Sequence, residues 1–215
     1  MKRHDLIYVR PSAWRAELEA RDDLPADTII AGWIDNGWPL IGRRALPGEM
    51  RGVALGLPLP PFAGKGRLSF VLKPEDIVST TPPLSLCSAG AYAPQTWLPT
   101  LQRLADLEAR LGVEIRLFGS LAWQALTGLE YLHSRSDLDL LLLVDQAVDI
   151  RGLSARLAAI EAEAPMRLDG EVIRNDGAAV NWREFLAGAQ EVLVKTISGV
   201  ALIKTEVFLA GGMRS

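Results

Sequence analysis

The sequence predicts an α/β (α+β) protein of two lobes, a small β-rich amino-terminal lobe and a carboxy-terminal lobe in which helices and strands alternate. Apolar residues make up 49% and charged residues 23% of the 215 residues, as in globular proteins with a packed core. A stretch rich in proline and glycine, from Pro74 to Pro99, separates two parts of the sequence that differ in their pattern of apolar residues. We therefore expect a β-rich domain over 1–80, a linker over 81–94 and a second domain over 95–215.

Short apolar segments separated by turn residues predict the strands of the first lobe. These segments are 6–9, 40–42, 53–55 and 68–72. One helix is expected between Trp14 and Arg21, and dense glycine and proline, as in 57–61, keep the other elements short.

Apolar residues of the second lobe recur at helical spacing from Trp97 to Leu111, and Gly112 is placed to end that helix. Further helices are predicted over 120–127, 150–162 and 182–187, and strands over 113–118, 138–144, 166–173, 191–196 and 200–204. Ser120 is the predicted N-cap of the second helix and Gly128 its predicted stop. The nearly continuous apolar run at 138–144 is typical of a buried strand.

Composition excludes several classes of protein. The longest apolar run, Leu140 to Val144, is far too short to cross a bilayer, and the first residues lack the apolar core of a secretion signal. The single cysteine, Cys87, excludes an intrachain disulfide and a cysteine-based zinc site. We therefore expect a cytoplasmic protein without a membrane partner.

The net charge of −3 conceals a basic segment in the first lobe. Its basic residues, set against Glu49 alone, are Arg43, Arg44, Arg51, Lys65, Arg67 and Lys73. A local basic patch on an acidic chain indicates an anionic ligand or partner rather than nucleic acid, and solvated charges on loops are the alternative.

Asp137 and Asp139 carry the strongest chemical signal of the chain. They are two residues apart at the start of an apolar strand, so both side chains project from one face. Two adjacent carboxylates in an apolar setting are costly unless a cation neutralises them. The pair predicts a site for Mg²⁺ or Mn²⁺ in phosphoryl or nucleotidyl transfer, and the polar entrance of a strand is the alternative.

A third carboxylate is expected from a neighbouring strand, and Asp169 and Glu171 are the candidates. Asp169 is preferred as the group that lowers the proton affinity of an acceptor hydroxyl. Glu171 shares its strand face and stays open as the alternative, and a solvated strand face is a third reading.

Gly119 and Ser120 lie at a predicted strand-to-helix corner, where backbone N–H groups and a small hydroxyl can bind phosphate. Sixteen residues separate Ser120 from Asp137, which predicts a long loop over 128–136. Lys195, on a later strand, is a further candidate to neutralise phosphate, and an edge-strand lysine is an equal reading.

The order Gly119-Ser120, Asp137-Leu138-Asp139 and Asp169 resembles that of the nucleotidyltransferase superfamily related to DNA polymerase β. The resemblance covers about residues 95–205 and implies a mixed sheet flanked by helices. The gap between Ser120 and Asp137 is longer than is usual in that superfamily, which implies an enlarged loop at the mouth of the site.

A narrower resemblance, to the malonate decarboxylase holo-acyl-carrier-protein synthases, covers nearly the whole chain. It rests on the segments His4-Asp5-Leu6-Ile7-Tyr8-Val9, Gly37-Trp38-Pro39-Leu40-Ile41-Gly42-Arg43-Arg44, Leu126-Thr127-Gly128-Leu129, Ser136-Asp137-Leu138-Asp139-Leu140-Leu141, Leu168-Asp169-Gly170-Glu171-Val172 and Asn181-Trp182-Arg183-Glu184. That family is the phosphoribosyl-dephospho-CoA transferase of bacterial malonate decarboxylase.

This resemblance implies transfer of phosphoribosyl-dephospho-CoA from 2′-(5″-triphosphoribosyl)-3′-dephospho-CoA to a serine of the apo acyl carrier subunit, with release of pyrophosphate. It implies that Asp137 and Asp139 hold metal, Asp169 helps to activate the serine, and Gly119-Ser120 cradles the triphosphate. Arg43 and Arg44, with the rest of the basic patch, would meet other phosphates of the donor or the carrier. An adenylyltransferase that uses ATP and a non-catalytic module that binds an anionic ligand are the alternatives.

Overall fold

A computed structural model describes residues 1–24, 28–49, 51–64 and 66–211. The chain divides into two compact units, Met1–Pro83 and a second that begins at Leu84. Each unit contains one sheet, so the expected two lobes of α and β structure are present, and the architecture is mixed α+β.

The first unit is built on a five-stranded antiparallel sheet in the order β4-β3-β2-β1-β5. Its elements are β1 (Leu6–Val9), α1 (Pro11–Glu19), α2 (Thr28–Ala31), β2 (Leu40–Gly42), β3 (Val53–Pro58), β4 (Arg67–Leu72) and β5 (Ile77–Thr81). Trp14 packs edge-on against Phe70 with ring centroids 4.8 Å apart, and its indole N–H donates to the Ile30 carbonyl. An aromatic core therefore holds α1 and α2 on the sheet.

The second unit is built on a seven-stranded mixed sheet whose strands follow chain order, from β6 at one edge to β12 at the other. Its strands are β6 (Leu84–Ser85), β7 (Glu114–Phe118), β8 (Leu138–Val144), β9 (Leu168–Arg174), β10 (Ala179–Asn181), β11 (Glu191–Lys195) and β12 (Val200–Lys204). Its helices are α3 (Leu86–Gly90), α4 (Leu98–Leu111), α5 (Gly119–Thr127), α6 (Ile150–Glu161), α7 (Trp182–Leu186) and α8 (Thr205–Leu209).

Alternate residues of each strand face one helical core. Leu138, Leu140 and Leu142 of β8 belong to the buried cluster formed with α4 and α6, whereas Asp139 lies on the opposite face. Among the described strand pairs only β8 and β9 run parallel, because α6 returns the chain across the sheet between them. Because the two strands are parallel, both begin at the same end of the sheet, and their first residues lie side by side. We call this end of the strands the edge of the second sheet.

Three expectations about local structure are wrong. The segment 81–94 is not simply a linker, because β6 pairs with β7 and α3 joins the core of the second unit. The first unit also contains a second helix, α2, and a fifth described strand, β5, which were not predicted because these segments are short and each has only a few apolar residues. Ser120 is the second residue of α5 and not its N-cap, since Phe118 holds that position without a side-chain hydrogen bond.

The other helix ends follow the expected chemistry. Gly112 ends α4 and Gly128 ends α5, each with a positive φ that other residues rarely adopt. Asp149 caps α6 by accepting a hydrogen bond from the Gly152 N–H. Within the described ranges, no helix has the length and apolar character needed to cross a membrane.

Candidate active site

Three neighbouring strands bring the predicted site residues together at one edge of the second sheet. Phe118, the last residue of β7, is the register partner of Asp139, which in turn is the register partner of Asp169. Asp139 and Asp169 are each the second residue of their strand, so their Cα atoms lie about 4.8 Å apart, the normal spacing of paired strands. Gly119 follows Phe118 directly, so Gly119 and Ser120 lie next to the carboxylates of Asp139 and Asp169.

Gly119 gives the Asp139 carboxylate its space. Its φ is +65°, and a Cβ placed on Gly119 would lie 1.8 Å from Oδ2 of Asp139. A glycine is therefore required here both by the backbone conformation and by the close approach of the side chain. The chain turns at this point into α5, whose first N–H groups have no partners within the helix.

Ser120 is half-buried in the first turn of α5, beside Gly119. Free N–H groups and the positive end of the helix dipole favour an anion at this position. The loss of the expected capping role leaves the Ser120 hydroxyl available to a ligand, which supports the phosphate-binding prediction without testing it.

Arg167 directly precedes β9 and approaches carboxylates at the start of both β8 and β9. Its guanidinium lies 3.8 Å from an oxygen of Asp137 and 4.0 Å from an oxygen of Asp169. The Arg167 side chain is 56% exposed, and the distances exceed those of good hydrogen bonds. Arg167 therefore neutralises the carboxylates loosely. The sequence did not point to it, because its approach to Asp137 depends on the register of β8 and β9.

The donor set fits Mg²⁺ held jointly with phosphate. No group of three or more metal-binding side chains is assembled within the described part of the chain. Protein-bound Mg²⁺ is usually held by one or two carboxylates and by substrate phosphates. Asp137 and Asp139 would supply two hard oxygen ligands, and the absent Cβ of Gly119 makes room for the Asp139 carboxylate itself.

Asp169 suits the role of third carboxylate better than Glu171. Glu171 is 6% exposed and lies opposite Leu141 in register, one side-chain row farther from Asp139. Its Oε1 accepts a 2.8 Å hydrogen bond from the Lys195 ammonium. Lys195 is thus engaged by Glu171, whereas its role at phosphate remains a prediction.

Asn181 and Arg183 approach the same edge and were missed as candidates. The Asn181 amide donates a 3.1 Å hydrogen bond to Asp169 Oδ1, and the Arg183 guanidinium makes a two-point ion pair with Glu161. Their sequence signal is the segment Asn181-Trp182-Arg183-Glu184, which carries the family resemblance but shows no chemical role by itself. Its meaning depends on which strand lies beside β10.

The ion pair of Arg183 and Glu161 lies beside the site, since Arg183 also donates to the carbonyl of Leu168, the residue before Asp169. Burial raises the pKa of Glu161, but hydrogen bonds from Arg183 and from the Leu168 N–H outweigh this and hold the pKa below its usual value. The hydrogen bonds to Glu161 raise the pKa of Arg183 against the effect of burial, and the charges of Glu161, Asp169 and Asp137 add to it. The carboxylates of the site therefore act on Arg183 at a distance.

The predicted long loop, 128–136, is folded onto α5. Oε1 of Gln124 accepts hydrogen bonds from the N–H groups of Tyr131 and Leu132, and Tyr131 is buried beside Trp123. The Ser136 hydroxyl accepts from the His133 N–H, which shapes the turn just before Asp137. The loop thus has a defined path into the site.

The two arginines predicted from charge belong to the first unit. Arg43 makes a two-point ion pair with Glu49, whose pKa these hydrogen bonds lower, and donates to the Leu55 and Arg44 carbonyls. These contacts occupy much of the Arg43 guanidinium. Arg44 is half-buried, and Lys65 lies outside the described residues.

Two family models match the chain. The amino-terminal domain of the phosphoribosyl-dephospho-CoA transferase MdcG matches residues 2–83, and its carboxy-terminal domain matches residues 85–206. The second match includes Gly119, Ser120 and all the carboxylates of the candidate site. No solved structure matches the chain significantly.

Curated relatives are similar over nearly their full lengths. A phosphoribosyl-dephospho-CoA transferase of Bradyrhizobium diazoefficiens is 54% identical, over 99% of this chain and 94% of its own. Proteins of the same name are 36% identical in Xanthomonas campestris, over 96% of both chains, and 34% identical in Pseudomonas putida, over 93% and 92%. These matches show that the chain belongs to the phosphoribosyl-dephospho-CoA transferase family and is a transferase.

Proposed function

We propose that the protein transfers phosphoribosyl-dephospho-CoA from 2′-(5″-triphosphoribosyl)-3′-dephospho-CoA to a serine of the apo acyl carrier subunit of malonate decarboxylase, releasing pyrophosphate. The observation that carries the proposal is the register pair of Asp139 and Asp169 beside Gly119, in a chain of this family. We place the reaction in the cytoplasm, without nucleic acid or membrane partners.

In the proposed reaction the serine oxygen attacks the α-phosphorus and the bond to the pyrophosphate oxygen breaks in line with it. Asp169 takes up the proton of the serine hydroxyl, since it is half-exposed and reachable by a protein acceptor. The α5 N–H groups and Ser120 hold the triphosphate. Asp137 and Asp139 would hold Mg²⁺, which when bound supplies positive charge to the phosphates.

Arg167 has a defined part in this scheme. In the free protein it neutralises Asp137 and Asp169, and it moves from them when the donor and its metal arrive. Because the Arg167 side chain is largely exposed, this movement breaks no buried contact. The guanidinium then lies within reach of the negatively charged donor.

The direct test is to incubate the protein with apo carrier subunit, Mg²⁺ and the donor, and to weigh the carrier by intact mass spectrometry. We expect the carrier to gain the mass of one phosphoribosyl-dephospho-CoA group, and one pyrophosphate to be released into solution for each transfer. A gain of the size of AMP with ATP, and none with the proposed donor, would show an adenylyltransferase instead. No gain with either nucleotide would favour a binding module.

A matched pair of variants locates the reaction at the carboxylates. Asp139→Asn is expected to abolish transfer and to stay folded, because its half-exposed side chain is not part of the core. Asp145→Asn is the control, since Asp145 follows the far end of β8 and its bond from the Ala147 N–H survives the change. Full activity of Asp139→Asn with Mg²⁺ present would refute the proposed site.

A further inference from the structure

The side chain of Asn181 joins two structural tasks. Asn181 is the last residue of β10, and its Oδ1 accepts a 3.0 Å hydrogen bond from the Arg183 N–H, which caps α7. Its Nδ2 donates a 3.1 Å hydrogen bond to Oδ1 of Asp169. One planar amide therefore fixes the start of a helix and one oxygen of the third carboxylate.

The residues that follow Asn181 hold it firmly against β9. Trp182 is fully buried, and its indole N–H donates 3.1 Å to the Leu168 carbonyl. The Arg183 guanidinium also donates to the Leu168 carbonyl and stacks over the Trp182 ring at 4.3 Å. These contacts hold the backbone that carries Asn181 firmly against Leu168. The Asn181 amide is therefore well placed to reach Asp169, the residue that follows Leu168.

Arg167, a cation near Asp169, cannot orient the carboxylate as the neutral Asn181 amide does. Arg167 approaches the same Oδ1 only to 4.0 Å and is 56% exposed. Asn181, in contrast, is half-buried and makes a hydrogen bond of normal length. The Asn181 bond to Oδ1 limits rotation of the carboxylate and leaves Oδ2 for another partner.

We infer that Asn181 is a positioning residue, which holds Asp169 so that its second oxygen faces the serine hydroxyl of the acceptor. The inference rests on the proposed function, because it gives Asp169 the task of taking the serine proton. Asn181 acts only through Asp169 and does not touch the donor. Its loss therefore slows the chemical step and leaves donor binding intact.

The key variant is Asn181→Ser. Serine caps helices about as well as asparagine but is too short to reach Asp169, so the change removes one of the two tasks. We expect kcat to fall about 10- to 100-fold, the usual effect of losing a group that orients a ligand residue. The KM for the carrier and the donor Kd, measured by calorimetry without carrier, should stay within twofold.

Two further variants separate positioning from helix capping. Asn181→Ala loses both hydrogen bonds, so its melting temperature should fall below that of Asn181→Ser while kcat falls equally. Asp149→Ser makes a similar exchange of cap at α6, at the opposite end of β8, and should leave kcat unchanged. A kcat of Asn181→Ser equal to that of wild type would overturn the inference, whatever the melting temperature of the variant.

The Asp169→Asn variant distinguishes failure of this inference from failure of the proposed function. If Asp169→Asn is inactive and Asn181→Ser has full kcat, the positioning role is wrong and the function stands. If Asp169→Asn has full kcat, the assigned role of Asp169 is itself wrong. A weaker donor Kd in Asn181→Ser with unchanged kcat would also overturn the inference, since it would place Asn181 at the donor.

Discussion

At the scale of single residues, the site depends on Gly119, which has no side chain. Gly119 is turned to φ +65° against the Asp139 carboxylate, and no larger residue fits there. Gly128, at the other end of α5, has a similar φ of +72° but open space where its Cβ would lie. A comparison of substitutions at the two glycines therefore distinguishes the effect of backbone strain, which both share, from that of a steric clash, which only Gly119 has.

Gly119→Ala is expected to lower transfer by at least about 100-fold, because displacement of a catalytic group by about 1 Å has that effect. Steady-state kinetics with the carrier acceptor measure it. Gly128→Ala is the matched control, with about 1 kcal/mol of lost stability from the same backbone strain and unchanged kcat. Equal kinetics of the two variants would contradict the steric account of Gly119.

Arg167→Ala tests the loose cation at the carboxylates. Removing a positive charge about 4 Å from Asp137 and Asp169 strengthens their attraction for Mg²⁺ by about 1 kcal/mol, or about fivefold. The Mg²⁺ concentration that gives half the maximal rate should therefore fall several-fold. Arg110→Ala, a change on the exposed side of α4, serves as the control. A higher Mg²⁺ requirement in Arg167→Ala would show that Arg167 helps to assemble the site.

At the residue scale, local spacing was sufficient to predict on which face of a strand a side chain lies, whereas the chemical roles stay predictions. Period-two alternation placed Asp139 on the open face of β8, and the register brings Asp169 beside it. Asn181 and Arg167 were not found, because the contacts of Asn181 with Asp169 and of Arg167 with Asp137 depend on which strands pair and in what register. Lys195 was found as a candidate, but its contact with Glu171 depends on the same register.

At the scale of elements, the Glu161–Arg183 ion pair ties the end of α6 to the start of α7. Glu161 also accepts a 2.7 Å hydrogen bond from the Leu168 N–H, so three elements meet at one carboxylate. The pKa of Glu161 lies below the usual value of 4.5 in the folded protein. The ionised pair therefore stabilises the fold above that pH, and protonation removes the contribution as the pH falls through the folded pKa.

Glu161→Gln should lower the melting temperature at neutral pH, and the difference from wild type should shrink as the pH drops below 4.5. Thermal denaturation followed by circular dichroism from pH 3 to pH 7 measures the trend. The control is Glu163→Gln, whose 72% exposed side chain pairs with Arg103, and exposed pairs contribute little. A constant difference across this pH range would contradict the assignment.

Element ends were predicted well where a glycine or a long apolar run marks them. The strand 138–144 and the end of α4 at Gly112 are as expected. The strand β6 and the helix α3 were missed because short segments among prolines carry too little periodicity. The predicted cap at Ser120 is wrong because the helix begins at Gly119, two residues earlier than a cap at Ser120 requires.

At the scale of the whole molecule, each unit has a core of its own. The large buried cluster of the second unit runs from Leu86 to Phe208 and contains no residue of the first. The first unit buries Trp14, Trp33 and Phe70 in its own sheet and helices. The two family matches, to 2–83 and 85–206, divide the chain at the same place.

A fragment that begins at Leu84 is therefore expected to fold by itself with a cooperative thermal transition. Leu140→Ala in this fragment should cost about 2–5 kcal/mol, as expected for a fully buried leucine, and the same in the full chain. Chemical denaturation followed by circular dichroism gives both values. A fragment without a cooperative transition would show that the second core is insufficient.

The parallel pairing of β8 and β9 has a consequence for how the protein acquires activity. Asp139 and Asp169 are thirty residues apart in the sequence, and they become neighbours only after α6 has carried the chain back across the sheet. Such non-local pairing is slow to form compared with helices and local hairpins. Helices α4 and α6 alone therefore do not bring the carboxylates together, and the candidate site exists only once β8 and β9 have paired.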